Sequence, residues 1–331
     1  MPEDFKAVVI RRQEDKSTTA ALETLSLGAL PDEDVLVDVA YSSLNYKDGL
    51  AVTGKAPIVR LFPMVPGIDL AGTVLESRDP AYAPGDRVLA TGWGLSEKYW
   101  GGYSQMQRLP AAYLTPVPAG FELSETMAIG TAGLTAMLCV MALADQGVQP
   151  DDGDILVTGA GGGVGSVAVM LLAQRGYRVV ASTGRAALQD DLVSLGVADV
   201  IDREALATAT GPLQEERWAG AIDVVGGTAL ANIIAQLKYG GAVAACGLAG
   251  GADLPSSVYP FIIRGVTLIG VDSVMCPASR RQQAWAHLEA ELNMEKLRQV
   301  SHVAPLSEIQ KWAEDIVAGR THGRVIIDVK R

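Results

Sequence analysis

The chain has 331 residues, long enough for two domains that each bury a core of their own. Hydrophobic residues make up 49% of it and the formal net charge is −11, which argues against a nucleic-acid surface or a polybasic membrane anchor. The start, Met1-Pro2-Glu3-Asp4, has no signal-peptide form, and no uninterrupted apolar run is read as long enough to cross a bilayer. Three scattered cysteines, Cys139, Cys246 and Cys276, suit a reducing cytoplasm better than a disulfide framework.

In chain order, residues 8–12, 35–43, 72–76 and 87–91 read as short strands separated by turn sequence such as Ala83-Pro84-Gly85-Asp86. That density predicts a barrel-like β unit over residues 1–124. Ser124 is placed to N-cap a long helix over 125–144. From residue 155 strands and helices alternate, with strands expected at 155–158, 179–182, 199–201, 221–225, 242–246 and 267–271. Helical stretches of about ten residues or more between them predict a parallel, doubly wound sheet over 125–272. Helices at 279–292 and 307–318 and a closing strand at 325–329 fill residues 273–331, a segment expected to return to the first unit.

The most informative run is Ile155-Leu156-Val157-Thr158-Gly159-Ala160-Gly161-Gly162-Gly163-Val164-Gly165, a strand entering a glycine-rich turn and then a helix. A helix N-terminus offers unpaired N–H groups and a positive dipole end to a pyrophosphate. In the spacing Ala160-x-Gly162-x-x-Gly165, Gly162 would let backbone approach phosphates and Gly165 would let the helix lie close on the strand. An acid about twenty residues further on would hold a ribose 2′-hydroxyl. Here the strand ends in Ser182-Thr183-Gly184-Arg185, two hydroxyls and a guanidinium that suit a 2′-phosphate, so the cofactor expected is NADPH. Arg185 as an exposed first-turn residue is the competing reading, and Asp190 and Asp191 are expected on the solvated face of the next helix.

Several runs resemble the medium-chain dehydrogenase/reductases: the glycine turn, Gly130-Thr131-Ala132-Gly133-Leu134-Thr135, Gly67-Ile68-Asp69-Leu70-Ala71-Gly72 and Gly323-Arg324-Val325. Ser42-Ser43-Leu44-Asn45-Tyr46-Lys47-Asp48, Thr91-Gly92-Trp93, Trp100-Gly101-Gly102, Cys246-Gly247-Leu248-Ala249-Gly250 and Gly270-Val271-Asp272-Ser273-Val274-Met275 resemble its NADPH-dependent acrylyl-CoA reductase group. The resemblance covers essentially the whole chain. It implies an α/β protein with a GroES-like β-barrel catalytic domain, a Rossmann domain, an active site in the cleft between them, and a homodimer paired through Rossmann edge strands. Zinc-dependent members carry His and Glu where this chain has Ile68 and Asp69, and a cysteine-rich lobe. No Cys precedes residue 139, and His287, His302 and His322 are all C-terminal, so a zinc-independent enzyme is expected.

The implied reaction is hydride addition to the β-carbon of acrylyl-CoA, with the thioester carbonyl taking up charge and a proton delivered to the α-carbon. Asn45, Tyr46 and Asp48 are the implied polar residues nearest the nicotinamide, with Tyr46 and water competing as proton source. Asp48 is equally well explained as a helix cap, and Lys47 is expected to point to solvent. Implied cofactor contacts come from Tyr46, Gly161, Gly162, Gly163 and Val164, from Ser182, Thr183, Gly184 and Arg185 at the 2′-phosphate, from Arg203 either beside the adenine or adding charge to that clamp, and from Leu248, Ile262 and Ser273 at the nicotinamide end. Arg324 is expected to reach a cofactor phosphate. Core packing competes for Leu248 and Ile262, and a surface charge for Arg324. A narrow acyl pocket near Trp93 and Trp100 competes with plain packing of those rings. Arg60, Arg280 and Arg281 are the cations open to the phosphates of a CoA thioester, or else a solvated face. A quinone or enone reductase, and an NADPH-binding protein without catalysis, are the alternative functions.

Overall fold

The computed structural model describes residues 3–209 and 211–331; Met1 and Pro2, which open the stretch read for a leader, and Thr210 lie outside the described residues. The chain starts with an antiparallel ribbon, β1 (Asp4–Arg12) and β2 (Thr18–Ser26). β1 buries Phe5 and the run Ala7–Ile10, whereas β2 alternates exposed and half-buried positions without a fully buried one. There follow β3 (Val35–Leu44), α1 (Tyr46–Thr53), β4 (Asp69–Ser77), β5 (Arg87–Thr91), β6 (Met106–Leu109) and β7 (Thr115–Pro116).

Helix α2 (Leu123–Asp145) starts one residue before the expected cap, so Ser124 lies inside it, and Glu125 accepts the Glu122 N–H at 2.8 Å. By length and apolarity, 23 residues containing an 18-residue window at a mean hydropathy of 2.0, α2 would suffice to cross a membrane, which corrects the expectation that no segment does. Within that window 89% of the residues are buried inside the protein. Gly130, at φ +52 and ψ −159, also divides it into two helices.

The second half is built from β8 (Asp154–Thr158), α3 (Gly163–Gln174), β9 (Val179–Thr183), α4 (Gln189–Leu195), β10 (Asp199–Asp202), β11 (Trp218–Asp223), α5 (Gly227–Gln236), β12 (Leu237–Ala245), α6 (Tyr259–Arg264) and β13 (Thr267–Gly270). All six strands run parallel in the order β10-β9-β8-β11-β12-β13, the strand order of a doubly wound dinucleotide-binding sheet. The crossovers are shorter than expected: α4 has 7 residues, α6 has 6, and among the described residues between β10 and β11 the helical structure is a short 3-10 turn, Arg203–Leu206. Gly211 and Pro212 in that last connection break any helical run.

The chain closes with α7 (Ala278–Glu291), α8 (Met294–Gln299), β14 (Ser301–Pro305), α9 (Ile309–Val317) and β15 (Arg324–Asp328). β15 pairs antiparallel with β3, giving a sheet ordered β14-β15-β3-β4-β5-β7 with β6 also on β3. Its core includes Val35, Val37, Leu70, Val88, Leu109, Val325 and Ile327. Two compact units result: residues 1–131, 274–278 and 298–331, and residues 132–273 and 279–297. The C-terminal segment is therefore divided, with most of α7 packing in the second unit.

Candidate active site

In the second unit, β8 ends at Thr158 and the chain turns through Gly159 into Gly162, the N-cap of α3. A Cβ on Gly165 would meet the Gly159 carbonyl oxygen at 2.3 Å and the Ala160 Cα at 2.6 Å, so only glycine lets α3 lie this close to the turn. The first N–H groups of α3, from Gly163 and Val164 onward, have no partner inside the helix and form an anion-binding end.

At the end of β9, Ser182 and Thr183 are buried and Gly184 is exposed. The Thr183 hydroxyl accepts the Arg185 N–H at 3.2 Å. The Arg185 guanidinium donates to the Gly161 carbonyl at 3.5 Å, and the Arg203 side chain lies over Gly184, where a Cβ would come within 2.5 Å of its Nε. Burial and then the charge of Arg203 hold the Arg185 pKa down. Two guanidiniums thus converge beside the glycine turn, with Glu204 3.5 Å from Arg203. An oxyanion is the group this arrangement favours. Asp190 and Asp191 lie in the exposed first turn of α4, as expected.

Leu248 and Ile262 are 67% and 76% exposed, which removes core packing as their explanation. Ser273 is buried, its hydroxyl accepting from Thr135 at 2.7 Å and its carbonyl from Arg281 at 3.0 Å. Arg281 is thereby internal, Arg280 pairs with Asp145, and Arg60 stands 3.7 Å from Glu97.

In the first unit, Asn45 is the N-cap of α1 and Asp48 its N3 residue, forming a capping box. Asp48 is fully buried: Oδ2 accepts the Asn45 N–H at 3.0 Å and Oδ1 the Ile68 N–H at 2.9 Å. Its carboxylate is a cap with both oxygens engaged, as the helix-cap reading expects. Burial, then the charge of Asp69, pushes its pKa up to about 7 against the pull of those hydrogen bonds. The Asn45 amide also turns inward, its Nδ2 donating to Asp69 at 2.9 Å and to Ser43 at 3.0 Å. Of the three catalytic candidates only Tyr46, at the first position of α1, is exposed, at 44%. Lys47 does not point free to solvent but pairs with Glu97 at 2.6 Å.

Arg324 departs furthest from expectation. It is 2% exposed, donates to the Ala128 carbonyl at 2.6 Å, the Met127 carbonyl at 3.4 Å and Asn45 Oδ1 at 3.3 Å, and so turns its donors inward and not toward a phosphate. Burial lowers its pKa while the charges of Asp69 and Asp48 support it. Asp69, quoted in the sequence only as the residue replacing a zinc ligand, is the acceptor at the centre: Ser43, Asn45 and the N–H and hydroxyl of Thr131 all donate to its carboxylate. With its oxygens so occupied beside a guanidinium, this spot does not fit a metal ion, and no group of three or more His, Cys, Asp or Glu among the described residues is placed to hold one.

Trp93 stacks on Tyr113 with centroids 5.2 Å apart and planes 2° apart, in a left-handed backbone conformation at φ +56 between Gly92 and Gly94. Trp100 packs against the clusters around Phe5 and Ile10 and donates to the Pro63 carbonyl at 3.0 Å, so it is a packing residue.

The alcohol dehydrogenase GroES-like domain model matches residues 31–119, and the zinc-binding dehydrogenase model matches residues 163–290. The probable acrylyl-CoA reductase AcuI of Escherichia coli is 51% identical over 97% of this chain and 99% of that protein. Acrylyl-CoA reductase AcuI of Ruegeria pomeroyi is 49% identical over 98% and 99%. Among solved structures, Escherichia coli YhdH with bound NADPH superposes with a TM-score of 0.95 at 51% identity, covering 98% of this chain and 99% of that one. Bacillus subtilis yhfP with NAD bound gives 0.95 at 42% identity, covering 99% and 100%.

Proposed function

The chain belongs to the acrylyl-CoA reductase group of the medium-chain dehydrogenase/reductases, and from that premise we propose that it reduces the α,β double bond of acrylyl-CoA to propionyl-CoA with NADPH. The observation that carries the cofactor half is the convergence of Arg185 and Arg203 beside the α3 N-terminus, where a 2′-phosphate and a pyrophosphate are stabilised together. When bound, NADPH supplies the hydride for the β-carbon. Gly161, Gly162, Gly163 and Val164 hold the pyrophosphate through backbone N–H groups. Ser182, Thr183, Gly184, Arg185 and Arg203 hold the 2′-phosphate, and Leu248, Ile262 and Ser273 the nicotinamide end. Tyr46 donates a hydrogen bond to the carbonyl oxygen as charge develops there, or delivers the α-carbon proton. Asn45 and Asp48 act behind it by fixing the start of α1.

The proposed enzyme is a homodimer joined through β13, the edge strand beside the exposed Val258, Tyr259, Ile262 and Ile263. A reducing cytoplasm is its proposed compartment, since Cys139, Cys246 and Cys276 are all free thiols.

The test is NADPH oxidation with acrylyl-CoA, run beside crotonyl-CoA, a simple quinone, the acryloyl thioester of a short thiol, and NADH. Fast turnover is expected with acrylyl-CoA and NADPH, collapsing when the CoA handle is shortened. Quinone turnover without thioester turnover would move the chain to the function named for the putative quinone oxidoreductase YhfP of Bacillus subtilis, 44% identical over 98% of this chain.

A further inference from the structure

The break in α2 at Gly130 leaves backbone groups that an unbroken helix would pair. In an α-helix the Thr131 N–H would donate to the Met127 carbonyl, four residues back. Here it donates to Asp69 Oδ2 at 2.9 Å instead, and the Thr131 hydroxyl reaches Asp69 Oδ1 at 2.5 Å. On the other side of the break, Arg324 takes up the Met127 and Ala128 carbonyls at 3.4 and 2.6 Å. A carboxylate therefore sits on the N–H end of one helical segment and a guanidinium on the carbonyl end of the other, each where the peptide dipoles favour its charge. A Cβ on Gly130 would come within 2.6 Å of Asp69 Oδ2, 2.9 Å of Arg324 Nη2 and 3.0 Å of Ser43 Oγ. Only glycine fits between the two charged groups, and its φ of +52 is the conformation glycine adopts without strain.

The same two residues grip opposite ends of the Asn45 amide. Arg324 donates to Oδ1 at 3.3 Å, and Nδ2 donates to Asp69 Oδ2 at 2.9 Å. Sheet register brings them there: Val325 on β15 pairs with Leu44 on β3, and Ala71 on β4 pairs with Tyr41 on β3. Residues 324, 45 and 69 thus come from three neighbouring chain segments, and the side-chain amide is locked in one orientation. Ser43 adds a third hold, and Tyr103, itself buried, donates to the Ser43 carbonyl at 3.0 Å.

We infer that Asp69 and Arg324 are positioning residues for the reaction: by closing the break in α2 around Gly130 they fix the Asn45 amide, and with it the first turn of α1 that presents Tyr46. Neither side chain touches substrate; both act through Asn45. The inference rests on placing the Asn45–Tyr46 segment at the reacting thioester, and its test has a readout that does not need turnover.

Asp69→Asn replaces one acceptor oxygen by an NH2 group that meets the donors of Ser43 and Thr131. It is expected to lower kcat about tenfold or more while the NADPH dissociation constant, read by cofactor fluorescence, stays within about twofold of the parent. In the same variant the Asn45 side-chain NH2 protons, slow to exchange with D2O in the parent by NMR, should exchange faster. A gentler pair covers the case in which Asp69→Asn fails to fold. Thr131→Ala removes one donor to Asp69 and lowers kcat several-fold, and Thr131→Ser keeps the hydroxyl and restores it. An Asn45 amide that exchanges fast in the parent, an unchanged kcat in a folded Asp69→Asn protein, or equal activity of the two Thr131 variants would each overturn the inference. If the parent itself fails to reduce any enoyl thioester, the proposed function falls, and the exchange measurement still decides whether Asp69 and Arg324 hold Asn45.

Discussion

Arg185 and Asp48 each yield a measurement. Arg185 meets the Gly161 carbonyl and feels the like charge of Arg203, so the proposed 2′-phosphate would relieve repulsion there as well as accept a hydrogen bond. A charge-assisted contact of this kind contributes about 1.5–3 kcal/mol, roughly ten- to a hundredfold in affinity. Arg185→Ala is therefore expected to weaken NADPH by that factor and NADH hardly at all, as titrated by cofactor fluorescence. Equal losses for the two cofactors would remove the clamp. Asp48 carries the pH dependence. Burial, reinforced by the charge of Asp69, raises its pKa to about 7, so the folded state binds this proton more tightly than the unfolded state. Between roughly pH 4 and 7 the folded protein holds a proton that unfolding releases, so stability falls as pH rises through that window, by up to about 1.4 kcal/mol per unit. Below it the cost is absent and above it the cost is complete. Asp48→Asn keeps only one of the two backbone acceptors, a loss that does not vary with pH, and should flatten the slope of urea unfolding free energy between pH 5 and 7. Asp223, also raised by burial, tilts parent and variant alike and cancels in the comparison. Identical slopes in the two proteins would show that Asp48 does not titrate there.

At the scale of elements, sequence was most informative where one periodicity ruled. β8, the glycine turn and α3 were legible because a wholly buried strand runs into a turn whose glycines have a steric reason. The parallel sheet follows once the alternation is seen, and its strand order comes from the structure. β11 was expected at residues 221–225 but spans Trp218–Asp223, because the Asp223 carboxylate accepts the Val225 and Gly226 N–H groups and turns the chain out of the strand. β12 begins at Leu237 and not near 242, since Tyr239-Gly240-Gly241 looks like a turn but stays in the strand. β2 and β14 escaped notice because neither buries an alternating apolar face: β2 is half-exposed throughout, and β14 exposes His302 and Val303. The Gly130 break was hidden by composition, as the run around it reads as one apolar helix. The role of Arg324 was hidden by distance, since its partner Asn45 is 279 residues away and only the pairing of β15 with β3 joins them. The glycine turn and the helix after it, set by local chain geometry, are thus readable; the buried polar network, set by strand register, is not.

At the scale of the whole molecule, the six-stranded sheet of the second unit raises a question of association. β13 stands at one end of the strand order, and an end strand presents a row of N–H and C=O groups that proteins normally pair, cover or guard with charge. The residues just before it do none of this guarding. Phe261 packs inward against the sheet core, while Val258, Tyr259, Ile262 and Ile263 are all more than half exposed. An apolar patch beside a strand edge fits a two-fold contact, in which the same patch meets itself and the two sheets continue across the axis. Acidic side chains at Tyr259 and Ile263, one helical turn apart on α6, would place four carboxylates in that contact and leave Phe261 undisturbed. The double variant Tyr259→Asp and Ile263→Asp is therefore expected to halve the mass measured by light scattering, while leaving in place the proposed phosphate contacts after β8, β9 and β10. A parent protein of single-chain mass at micromolar concentration, or a variant that keeps the mass of two chains, would each exclude pairing through this edge. The exposed apolar face of α6 would then have to be explained by the nicotinamide end of the cofactor, to which Ile262 alone is assigned.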